Sequence, residues 1–135
     1  MKAEINLVAS FIVKLAISGP KPVRASHQQR RRFLEELMNL LHQRMPGHRY
    51  LQQPTRGRGY RILRFDQFTG PDPLVVEAAK RADFPHGPLT WPLEMSLWID
   101  PGQVTAKMGE DGSIFPVTVD DVKWPYIRTS WGRSE

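Results

Sequence analysis

Residues 95–108 constrain the fold more than any other stretch. Met95, Leu97 and Ile99 alternate with Ser96, Trp98 and Asp100. A period of two puts the two sets on opposite faces of a strand. Pro101-Gly102 follows as a turn, and Val104, Ala106 and Met108 alternate through residues 103–108. The segment predicts a β-hairpin with one apolar face. Its other face carries an indole beside a carboxylate. On pattern alone, packing of Trp98 beneath a helix or neighbouring strand stands slightly ahead of exposure. A strand does not need that pair for its own stability, which makes Trp98 and Asp100 candidates for a contact surface.

Helical periodicity accounts for the front of the chain. Ile5, Val8, Phe11, Ile12 and Leu15 predict a helix over 3–17, ended by Gly19-Pro20-Lys21-Pro22. Ser26 and Gln29 have capping-box spacing, and Phe33, Leu37, Leu40 and Leu41 continue one face until Pro46-Gly47. Leu37-Met38-Asn39-Leu40-Leu41 also fits the L-x-x-L-L docking pattern, but the helix needs the same leucines for its core. Asp72-Pro73 reads as an N-cap with proline at the first helical position, opening a helix over 74–82. Strands are expected at 60–65, 95–100, 103–108 and 114–119, the last an edge strand because of Pro116. The fold class is α/β of the α+β type, with helices packed on a small, mostly antiparallel sheet. A domain over 1–119 and a tail over 120–135 are expected.

Bulk properties narrow the function classes. The 135 residues fit one domain, and without cysteine there is no disulfide framework and no thiolate metal site. The net charge of +5 conceals an asymmetry: residues 1–64 carry 13 Lys/Arg against 3 Asp/Glu, and residues 65–135 carry 6 against 11. A basic half attracts nucleic acid or an acidic protein surface; solvated helix faces and pairing between the halves account for it equally well. The apolar run from Ile5 to Ile17 is interrupted by Asn6 and Lys14 and is too short to span a membrane. Glu4 and Lys14 argue against a signal peptide. His27, His42, His48 and His86 have no metal-binding spacing, and no nucleophile elbow or phosphate-binding loop occurs. The reading is a non-enzyme without cofactors.

Leu97-Trp98-Ile99-Asp100-Pro101, then Val104, then Gly109-Glu110-Asp111-Gly112-Ser113, closely resembles the second signature box of the BTG/Tob antiproliferative family. Residues 48–66 resemble the first box: Tyr50, Pro54, Gly57, Gly59, Tyr60 and Arg61 match, while Arg49, Leu51, Gln52-Gln53 and Arg58 depart from its usual residues. The resemblance covers roughly residues 2–119 and implies a single BTG-type domain. It implies an adaptor in the cytoplasm and nucleus that binds the Caf-type deadenylase subunit of the Ccr–Not complex. Such an adaptor promotes mRNA deadenylation and translational repression and restrains proliferation. Carried over by position, the deadenylase-binding residues are Tyr60, Trp98 and Asp100. Contact with poly(A)-binding protein through the first box is also implied, weakened here by the altered positions. Two alternatives stand beside this reading. Arg56, Arg58 and Arg61 around Tyr60 combine guanidinium groups with a stacking ring, as in single-strand RNA binders. Self-assembly through exposed aromatics is the other.

Overall fold

The computed structural model describes residues 2–18, 22–45, 61–87, 90–92, 94–109 and 112–122. Three helices, α1 (Lys2–Ser18), α2 (His27–Arg44) and α3 (Pro73–Arg81), accompany five strands: β1 (Ile62–Asp66), β2 (Gly70–Pro71), β3 (Glu94–Asp100), β4 (Gln103–Met108) and β5 (Ile114–Pro116). The sheet order is β2-β1-β3-β4-β5, and every pairing is antiparallel. Four strands were expected; the fifth, β2, is only two residues long, too short to leave a period in the sequence. β5 ends at Pro116 rather than at residue 119. Proline has no N–H to extend a ladder, although the Val117 N–H still reaches the Val104 carbonyl at 2.8 Å.

The expected caps are present. Ser26 Oγ accepts from the Gln29 N–H at 3.0 Å, and the Gln29 side chain accepts from the Ser26 N–H at 2.8 Å. Asp72 Oδ1 accepts from the Leu74 N–H at 3.0 Å and also meets Arg44 Nη2 at 3.0 Å, which ties α3 to the end of α2. α3 closes with a Schellman pattern: the Phe84 N–H bonds the Ala79 carbonyl and the Asp83 N–H the Lys80 carbonyl. Asp83 takes the left-handed position at φ +53°, where glycine is usual. Its carbonyl accepts from Gln29 Nε2 at 2.7 Å, so the end of α3 rests on the start of α2.

α1 is the core helix. Ile5, Val8, Ala9, Phe11, Ile12, Val13, Leu15 and Ala16 are all buried, and α1 packs against α2, β3, β4 and a 3-10 turn at Val119–Val122. That turn carries ordered structure to residue 122, past the boundary expected at 119; residues 123–135 of the expected tail lie outside the described residues. Lys14, only 1% exposed, is part of the same buried surface. Desolvation lowers its pKa to about 8, although the Asp121 carboxylate pulls the other way. Leu37 and Leu41 are fully buried, so the L-x-x-L-L pattern serves the core. No helix among the described residues is long and apolar enough to cross a membrane.

Candidate functional site: the outer face of the sheet

Strand register sorts the sheet into two faces. Met95, Leu97 and Ile99 of β3 are buried, together with Leu63 and Phe65 of β1 and Val104 and Ala106 of β4. They form the core with the helices. Ser96, Trp98 and Asp100 lie on the other side, half-buried. Trp98 sits opposite Ile62 of β1 and Thr105 of β4, and Thr105 in turn faces Pro116 of β5. A row of three apolar residues and one threonine therefore crosses four strands, with the indole near its centre. Among the described residues no helix lies over Trp98: the described helices pack on the opposite face.

Asp100 is held by its own domain. Arg61, the residue just before β1, is completely buried. Its Nε donates to the Ile99 carbonyl at 2.9 Å and its Nη2 to Asp100 Oδ1 at 3.2 Å. The Asp100 side chain keeps 13% exposure and that of Arg61 none, so only the carboxylate edge of the pair can meet a partner. This corrects the reading of Arg61 as an RNA contact. A fully buried guanidinium bonded to a carbonyl and a carboxylate cannot stack on a base. Strand parity carries the signal that this reading passed over: Arg61 alternates with Leu63 and Phe65, which are core residues. Tyr60, Arg56 and Arg58 lie outside the described residues, as does most of the first box.

The hairpin tip beside Asp100 is fixed from two directions. Pro101 cannot take a positive φ and Gly102 has φ +83°, the pattern of a type II turn closed by the Asp100–Gln103 pair. Glu4, in the first turn of α1, accepts from the Gly102 N–H at 2.8 Å. Partial burial works against its ionisation, but the backbone N–H groups of Glu4 and Gly102, together with the N-terminal charge, hold its carboxyl below its usual value. The site is amphipathic and lies on a sheet paired across its width. Among the described residues no group of three His, Cys, Asp or Glu could hold a metal ion. The arrangement suits a macromolecular contact: an apolar anchor with a braced carboxylate two positions along the same strand.

The BTG family model matches residues 1–118. The chain belongs to the BTG family. Its members are antiproliferative, non-catalytic regulators. Over 117 residues it is 32% identical to Protein BTG3 of Mus musculus, covering 87% of this chain and 45% of that protein. It is 36% identical to Protein BTG1 of Bos taurus, covering 84% of this chain and 65% of that protein. The chain thus spans about half to two-thirds of the length of these relatives. Among solved structures, the C. elegans FOG-3 BTG/Tob domain superposes with a TM-score of 0.69 at 20% identity, covering 87% of this chain and 89% of that one. That likeness bears on the fold: three helices on a five-stranded antiparallel sheet.

Proposed function

We propose that this BTG domain is an adaptor that binds the Caf-type deadenylase subunit of the Ccr–Not complex through the outer face of its sheet, and so promotes mRNA deadenylation and restrains proliferation in cytoplasm and nucleus. The observation that carries the reading is the position of Trp98, half-buried in a mostly apolar row on the face turned away from the helices. An indole placed there offers a large apolar area at small conformational cost. The Asp100 carboxylate edge, braced by Arg61, accepts hydrogen bonds beside it. Tyr60, by its match to the first box, supplies a third contact from the adjoining segment.

Co-precipitation of the purified chain with the deadenylase subunit tests the proposal. Wild type is captured, and Trp98→Ala is not, while its circular dichroism spectrum is unchanged. Capture of Trp98→Ala at the wild-type level removes the indole as the anchor. Failure of wild type to be captured removes the partner. Contact with poly(A)-binding protein through the first box is a separate proposal, weakened by the departures at Arg49, Leu51, Gln52-Gln53 and Arg58.

A further inference from the structure

Beyond the row around Trp98, the outer face is banded by charge. One residue pair along from Ile62, Trp98 and Thr105, the register sets Arg64 opposite Ser96 and Ser96 opposite Lys107. One pair further, Asp66 faces Glu94. The face therefore runs from a mostly apolar band through a basic band to an acidic one. Strands lie roughly 4.8 Å apart, so the Arg64 and Lys107 backbones are roughly 10 Å apart with Ser96 midway. Both long side chains can reach a group placed over Ser96. The depression there, about 160 Å³, is lined by Arg64, Asp66, Glu94, Ser96 and Lys107.

The two cations share the depression with the carboxylates of Asp66 and Glu94. Arg64 is exposed and Lys107 half-buried, and neither makes an ion pair among the described residues. The nearby Asp66 carboxylate is committed to its own turn, where Oδ1 accepts from the Phe68 N–H at 2.6 Å and the Thr69 N–H at 3.3 Å. We infer that Arg64 and Lys107 together receive a carboxylate of the partner protein, two residues along β3 from the Trp98 anchor, and so set the register in which it docks. This rests on the deadenylase reading and adds to it the charge the partner must present. Two residues of strand are roughly 7 Å, so the partner carries an acidic side chain about that far from the pocket that takes the indole. Charges at such positions act mainly on the rate of encounter.

Association kinetics of the purified chain with immobilised deadenylase subunit, at low and high salt, test this. The Arg64→Glu/Lys107→Glu variant associates about tenfold more slowly at low salt, and the difference shrinks at high salt. Ser96→Asp, which places a carboxylate between the cations, slows association in the same way. Thermal unfolding checks that the variants fold. If wild type binds, Trp98→Ala does not, and both charge variants associate at the wild-type rate, the inference fails and the deadenylase reading stands. If wild type does not bind, both fail.

Discussion

Trp91 and Trp98 stand seven residues apart and meet opposite fates. Trp91 is 6% exposed and lies in an aromatic cluster, 5.5 Å from Phe65 and 6.3 Å from Phe33 by ring centroid, with Phe33 stacked on Phe84 at 4.3 Å. Its indole N–H has no acceptor among the described residues. Trp98 lies on the other side of the sheet, half-buried. Residue type does not separate the two; the side of the sheet does. The inner region is closed by helices and built for stability. The outer one is a face that the described helices leave uncovered.

The difference can be broken or sharpened by substitution. Trp91→Ala opens a cavity in the aromatic cluster and costs about 3–5 kcal/mol in denaturant unfolding. Trp91→Phe costs less, because it also removes a buried, unsatisfied donor. A loss near zero for Trp91→Ala would erase the distinction between the two regions. Asp100→Ala leaves the Arg61 guanidinium buried without its carboxylate and costs about 3 kcal/mol. Lost binding in that variant therefore mixes unfolding with contact. Asp100→Asn keeps an acceptor and loses less stability, and measuring unfolding and binding on the same sample separates the two causes.

The second buried cation gives a pH signature. Lys14 has a folded pKa of about 8, below its ordinary value of 10.5. Between those values the unfolded chain binds more protons than the folded one, so stability rises as pH increases from about 8 to about 10.5. The slope approaches about 1.4 kcal/mol per pH unit at most. Below about pH 8 both states are protonated and the slope vanishes. Urea midpoints across this range should show the rise in wild type and not in Lys14→Met. The smallest expected effect is at Asp83. Its left-handed backbone suits glycine, so Asp83→Gly raises stability by up to about 1 kcal/mol, read as a higher thermal midpoint; a lower midpoint would mean that the aspartate side chain supports the cap.

These contrasts mark how far the fold and site could be read from sequence. The hairpin, the Ser26 capping box and the Asp72-Pro73 helix start depend on neighbours within a few residues, and all appear as expected. The outward parity of Trp98 was equally local. The Arg61–Asp100 pair joins residues 39 positions apart, and no local pattern reports it, although the shared parity of Arg61, Leu63 and Phe65 pointed Arg61 inward. Lys14 gave no sign of burial, because a lysine in an apolar helix ordinarily reaches water; here α1 is covered by α2, the sheet and the Val119–Val122 turn. The charge bands became visible only once register aligned Arg64, Ser96 and Lys107.

The most direct measurement is calorimetric titration of the Caf-type deadenylase subunit with wild type and Trp98→Ala, paired with unfolding of both proteins. A buried anchor of this kind is worth about 2 kcal/mol or more, so Trp98→Ala should weaken Kd about thirtyfold or more. Its unfolding midpoint should fall far less than that of Trp91→Ala. Unchanged affinity, or an unfolding loss as large as that of Trp91→Ala, would contradict the assignment of Trp98 to a binding face.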